Sequence, residues 1–277
     1  MEKIKEIIRN ANDNMSIEKT IRSQVRYSLK ENWIPAISGF FLLATVFFLL
    51  VTFVVCAGDI FNIWTEDGLL KKNCENTLMI IVCLSVLLGV FLSPFKNGFY
   101  KLCYDIADNK KTDFASMFYF FKGNKYLTTL QFNLLIAVRI ILYLIIGLIP
   151  YYLLSIATYL FSIQLMPTVE ANETVSVLKT IFIILAVVFA VMESVKLFLA
   201  EFLFIENDGD SSEVFRCAKA IYKIHGKSLR KQFLSFVFWI ALCFFVFPLI
   251  YVLPYFSTTY ANSSKWLIRL YKEGKIQ

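Results

Sequence analysis

The residues of this chain best placed to do chemistry are charges embedded in apolar runs. Arg139 lies inside QFNLLIAVRIILYLIIGLIPY, and Glu193 and Lys196 lie inside ILAVVFAVMESVKLFLAEFLF. A charge at the centre of a membrane helix costs on the order of 3 kcal/mol unless it is paired or hydrated, so each of these needs a partner. Adjacent runs would put Arg139 and Glu193 at similar depth, and Glu193 and Lys196 share a helix face at i, i+3. Two chemistries fit: a substrate or ion contact at mid-membrane, or an ion pair that fixes helix packing. The packing pair is the favoured reading, because one pair without a chain of further acids makes a poor proton path. A second candidate set, Lys223, Lys227, Arg230 and Lys231, lies in a basic segment suited to lipid headgroups or a partner protein.

Other chemistries lack their residues. His225 is the single histidine and has no Cys or carboxylate beside it, which argues against a metal site and against a Ser-His-Asp or Cys-His triad. No Gly-rich phosphate loop is present, so an ATPase motor would have to be another chain. The six cysteines show no C-x-x-C spacing; Cys56 and Cys74 could pair at the outer face, but free membrane thiols are the preferred reading. The expectation is a non-enzymatic protein without cofactor or metal.

The elements that position these residues follow from composition. The 277 residues are 58% hydrophobic and 18% charged, and the apolar residues come in long runs rather than helical stripes, which marks bilayer spans. Nucleic acid is excluded as the partner of the +7 net charge, since the cations flank the apolar runs. Residues 1–34 read as a basic amphipathic segment. Ile17, Ile21, Val25, Leu29 and Trp33 recur every four residues, with Lys19, Arg22, Arg26 and Lys30 on another face. Such a helix lies in the headgroup layer or packs on the protein itself. The membrane domain is 35–270 and a short tail is 271–277. Spans are expected at about 36–56, 77–95, 127–149, 181–204 and 233–253. A sixth, protein-buried crossing is expected at 255–270, and the apolar piece from Pro150 to Ile163 is too short to cross.

Two stretches, 109–151 and 208–255, look like copies of one unit. Each runs from a polar linker through a charged helix and a Gly beside Lys into an apolar run ending at Pro-Tyr. Thr112 and Asp113 in one copy, and Ser211 and Ser212 in the other, are placed to cap the charged helices. Seven Lys and Arg in 1–34, six in 96–125 and six in 206–232 oppose two in 57–76 and one in 150–180. That asymmetry puts the N-terminus of a multi-pass membrane protein in the cytoplasm. The fold class is therefore all-α: a polytopic helical bundle of five or six spans with interfacial amphipathic helices and an internal duplication.

IRSQVRYSLKENW, the KGNK turn, the IPYY and LPYF ends and AEFLFIENDGDSSEVFRCAKAIYKIHGK resemble a family of bacterial integral membrane proteins. That family is catalogued as a domain of unknown function, number nine-seven-five. The pattern is also distantly similar to the membrane domain of some glycerophosphoryl diester phosphodiesterases, whose catalytic residues belong to a separate soluble domain. The resemblance implies a multi-pass protein of the bacterial cytoplasmic membrane with no assigned activity. Binding of membrane lipids or a partner protein through the basic cytoplasmic helices is the expected role. The alternative is a transporter or ABC-type permease subunit, with Arg139 and Glu193 facing a pathway and an ATPase as partner.

Overall fold

The computed structural model describes residues 2–63, 75–164, 169–207, 211–242 and 246–273. Among the described residues, six α-helices carry the fold: α1 (Glu2–Ile60), α2 (Glu75–Ala107), α3 (Lys125–Gln164), α4 (Val169–Asn207), α5 (Ser211–Leu242) and α6 (Val246–Lys272). A 3-10 helix, Phe114–Phe121, stands between α2 and α3, and the described residues contain no strand. Among the described residues, four stretches are long and apolar enough to cross a membrane: Ile21–Ile60, Cys83–Ala107, Lys125–Tyr159 and Val175–Asn207. The protein is an all-α membrane protein.

Its hydrophobic residues are distributed accordingly. Phe47, Phe48, Leu87, Phe91, Ile145, Ile146, Ile184 and Val188 point outward, as side chains do where the solvent is hydrocarbon. The buried core lies instead toward one end of the bundle, where α2 and α4 finish and α3 begins. There Phe132, Phe202, Phe204 and Tyr260 form one cluster, and Leu29, Phe99, Leu102 and Met117 another. We call this the charged end. α2 is the central helix, touching α1, α3, α4, α6 and the 3-10 helix.

Local chemistry explains the bends. Pro35 lacks an N–H and crowds the preceding turn, and α1 kinks three residues earlier at Asn32 (φ −121°, ψ 19°). Asn32 stabilises the kink from both sides. Its Nδ2 donates to the Ser28 carbonyl at 2.9 Å, and its Oδ1 accepts from the Thr112 N–H at 3.3 Å and hydroxyl at 3.1 Å. Ser28 also donates to Asn109, which holds φ +54° in the turn after α2. Val25 and Leu29 are fully buried against α2, so the segment before the kink packs on the protein itself. Gly98 lets α2 touch the 3-10 helix, since a Cβ there would lie 2.0 Å from the Met117 carbonyl oxygen. Gly123 (φ +57°) makes the turn into α3.

Several expected boundaries move. α2 runs unbroken to Ala107, so 96–107 continues the second span rather than forming a separate interfacial segment. α3 passes through Pro150 to Gln164, joining the third span to the piece expected to stand apart. α4 begins at Val169, so much of the polar MPTVEANETVSV stretch is helical. α5 passes through Gly226 without a turn, and α6 passes through Pro254, so only Gly123 of the two paired glycines breaks a helix. Asp113 holds the N-cap position of the 3-10 helix without a side-chain cap, and the Thr112 hydroxyl goes to Asn32 instead. The side chains of Ser211 and Ser212, like Cys74, lie outside the described ones, while Cys56 is a free, exposed thiol.

α5 and α6 pack antiparallel. Cys217 meets the Tyr271 hydroxyl, the rings of His225 and Trp266 lie 6.4 Å apart, and Gln232 donates to Ser263 at 2.8 Å. Phe236 then packs on Tyr255 at 5.8 Å. α6 runs alongside α2 in the same direction. Leu249 and Leu253 share a cleft with Val86 and Gly89, and Lys265 pairs with Asp108 just past the end of α2. Beyond Val86, α2 continues another eleven residues to Glu75, about 16 Å at helical rise, while α6 extends only three residues beyond Leu249, to Val246. α6 therefore begins short of the far end of α2.

Candidate functional site

Three helices build one basic cavity. α3 supplies Arg139 and Tyr143, one turn apart; α4 supplies Glu193, Lys196 and Leu197. α5 supplies Phe215, Ala218, Lys219, Tyr222, Lys223 and Arg230, a stripe at three- and four-residue spacing that only an unbroken helix presents on one face. The space enclosed is about 510 Å³. Five cations face it and one carboxylate, Glu193. Gly226 belongs to the same stripe, its missing side chain leaving room for the Tyr222 ring, which a Cβ would meet at 3.0 Å.

The expected Arg139–Glu193 pair does not form. Glu193 pairs with Lys196 on its own helix. The Arg139 guanidinium lies over the Phe215 ring, 3.3 Å from its centroid, a cation–π contact that holds the charge without neutralising it. Lys196 also sits 5.4 Å from the Tyr222 ring and Arg230 5.5 Å from it. After the internal pair is counted, the guanidinium groups of Arg139 and Arg230 and the amines of Lys219 and Lys223 remain as surplus charge.

Two polar atoms in the cavity wall are buried without a partner: the Tyr222 hydroxyl and Nε of Arg230. A buried polar atom left unbonded costs about 1–3 kcal/mol, so such atoms mark places where something else completes the bonding. Burial holds the Tyr222 phenol above its ordinary pKa, with Glu193 adding to the rise, so it remains a neutral O–H donor. Two donors and a ring of cations converge on the same space.

The sequence-level candidates thus regroup. Arg139, Glu193 and Lys196 meet Lys223 and Arg230 in a single site, although the two sets were read as separate. Lys227 and Lys231 are exposed and do not line it. Phe215, Lys219 and Tyr222 were missed, and their signal was the α5 stripe, obscured by reading Gly226 as a turn. Nor is the site central to the apolar surface of α4. Outward-facing apolar side chains run from Val177 to Val191, and Glu193 comes directly after them. His225 lies off the cavity beside Trp266, with burial lowering its pKa. Among the described residues no group of three His, Cys, Asp or Glu is placed to hold a metal ion.

A separate set of ion pairs ties the charged end together. Lys96 donates to Glu201 at 2.8 Å, with Glu201 only 5% exposed. Glu206 accepts from Tyr104 and, at 3.1 Å, from Lys272, joining α4 to α2 and α6. These pairs serve as clamps, with Oε2 of Glu201 left buried without a partner.

The chain belongs to the family described as protein of unknown function (DUF975), whose model matches residues 15–265. No curated protein and no solved structure matches it, and the distant likeness to the phosphodiesterase membrane domain has no support beyond the quoted motifs.

Proposed function

We propose that this protein binds a phosphate-bearing anionic lipid, holding the headgroup in the basic cavity between α3, α4 and α5. The observation that carries this reading is the convergence of Arg139, Lys219, Lys223 and Arg230 on a space where the Tyr222 hydroxyl and Arg230 Nε have no partner. A phosphate oxygen accepts from both donors, and its charge is matched by the surplus cations. The position suits a lipid, because the cavity begins where the outward apolar surface of α4 ends and a headgroup would lie. The role is binding, without chemistry on the ligand.

The topology we propose has the N-terminus in the cytoplasm of a bacterial cell membrane and the charged end facing the same side. α1 to α4 cross. The fifth and sixth segments expected from the sequence become the two arms of a hairpin that enters from the cytoplasmic side and returns to it. Support comes from the shortfall of α6 relative to α2, about 12 Å at helical rise, and from Lys265, Arg269 and Lys272, which this arrangement puts on the cytoplasmic side. The likeness of 109–151 to 208–255 is then an internal repeat in sequence whose second copy has lost its turn.

Native mass spectrometry of protein gently extracted from its own membrane tests the lipid reading. Retained phosphatidylglycerol or another anionic phospholipid is the expected result. Loss of two cations at about 1 kcal/mol each predicts roughly 30-fold weaker retention in the Lys223→Gln/Arg230→Gln variant. Equal retention by variant and wild type contradicts the assignment. Binding of inorganic phosphate as tightly as the lipid would make the site a soluble-anion site instead.

A further inference from the structure

The cations of the basic cavity divide into two loci along α5. At the first, the Arg139 guanidinium lies 3.3 Å from the centroid of Phe215, and Lys219 stands one turn further along the same helix face. At the second, the Tyr222 ring has Lys196 at 5.4 Å and Arg230 at 5.5 Å, with Lys223 next to it in the cavity wall. Phe215 and Tyr222 are seven residues apart on α5, so about 10 Å at helical rise separates the loci. Glu193 matches the charge of Lys196. Each locus therefore keeps two surplus cations: Arg139 and Lys219 at one, Lys223 and Arg230 at the other. All four retain accessible surface, and Lys219 and Lys223 are exposed.

Building on the anionic-lipid reading above, on which this rests, we infer that the preferred ligand carries two phosphodiesters joined by a short polyol. This is the diphosphatidylglycerol class, with one phosphate held at each locus. A single phosphodiester brings one charge to one locus and leaves the cations of the other unmatched. A diphosphate carries the charge, but its phosphorus atoms share one oxygen and stand too close together to serve both loci. A glycerol bridge separates two phosphates far enough for Lys and Arg side chains to reach each from its own locus. A zwitterionic headgroup does not fit, because Glu193, the one carboxylate in the wall, is already held by Lys196 and leaves no anion for an ammonium. The cavity of about 510 Å³ has room for more than one phosphate. Toward the membrane interior α3 and α4 close on each other, since a Cβ at Gly147 would lie 3.0 Å from Cα of Ala186. The acyl chains therefore lie outside, along the outward faces of Ile184, Val187, Val188 and Val191. Basic pockets between membrane helices on the cytoplasmic side suit such doubly charged headgroups.

The test uses the full-length protein in phosphatidylcholine nanodiscs doped with tetraoleoyl cardiolipin, or with dioleoyl phosphatidylglycerol at equal phosphate. Bound lipid is counted by native mass spectrometry after release. Wild type is expected to retain a single cardiolipin per chain, preferred at least tenfold over phosphatidylglycerol. Lys219→Gln changes an exposed side chain and should weaken cardiolipin retention about fivefold. Phosphatidylglycerol needs only the Tyr222 locus, so its retention by that variant should stay as in wild type, which also reports an intact fold. Arg139→Gln/Lys219→Gln should erase the preference for cardiolipin altogether. Two phosphatidylglycerols per chain, held as tightly as a single cardiolipin, would overturn the proposal and leave the anionic-lipid reading standing. Equal weakening of both lipids by Lys219→Gln would do the same. Dioleoyl phosphatidic acid retained ahead of cardiolipin would assign one doubly charged phosphate instead of two and also overturns it. Failure of wild type to retain any of these anionic lipids would overturn both readings.

Discussion

Tyr222 is a side chain that would weaken the protein alone and serve the proposed lipid. Its hydroxyl is buried without a partner, so Tyr222→Phe removes an unsatisfied group and should leave the lipid-free protein as stable or raise its melting temperature. The same change deletes a donor to phosphate, and affinity for anionic lipid should fall about tenfold, the equivalent of about 1.4 kcal/mol. A thermal melt with and without phosphatidylglycerol reads both effects; a loss of stability without lipid would give the hydroxyl a structural role instead. Gly98 is the opposite case, a residue with a purely structural task. A Cβ there collides with the backbone of Met117, so Gly98→Ala should destabilise by about 1–3 kcal/mol through overpacking, measured as a lower melting temperature in detergent. The sequence displayed Arg139, Glu193 and Lys196 because charge stands out in an apolar run. It hid Phe215 and Tyr222, since aromatic residues are unremarkable among twenty-eight Phe and fourteen Tyr.

At the level of elements, long apolar runs were legible and their ends were not. Hydropathy reports where hydrocarbon would surround a helix, but a helix continues past that zone wherever its backbone bonds are satisfied within itself. That is why α2 extends to Ala107, α4 starts at Val169, and α3 crosses Pro150, a residue that helices tolerate when neighbours support them. Gly226 beside Lys227 resembled the Gly123 turn locally, yet the α5 stripe continues through it, with the glycine fitted against the Tyr222 ring. The kink in α1 was similarly invisible, because it depends on a partner eighty residues away. Asn32→Leu should free the kink from Thr112 and cost about 1–3 kcal/mol, with limited proteolysis near the 108–113 turn rising in parallel. Unchanged melting and proteolysis would mean that Pro35 alone fixes the bend.

For the whole molecule, the proposed topology is a four-helix crossing unit joined to an α5–α6 hairpin, with α5 lining about half of the basic cavity. The arrangement makes α5 the element that would convert an apolar bundle into the proposed anion site, since three of the five cavity cations, Lys219, Lys223 and Arg230, stand on it. The proposed topology predicts that Lys110→Cys and Lys272→Cys are labelled by an impermeant maleimide only from the cytoplasmic side, while the native Cys56 is labelled only from the other. Labelling of Lys272→Cys from outside would make α6 part of an odd number of crossings. The most direct test of the central claim is photocrosslinking with phosphatidylglycerol carrying a diazirine beside its phosphate, followed by peptide mapping. The account predicts label on α5 between Phe215 and Arg230 and on the facing segments of α3 and α4, lost in Lys223→Gln/Arg230→Gln. Label spread instead over exposed cations such as Lys110, Lys227 and Lys231, and indifferent to that substitution, would contradict it.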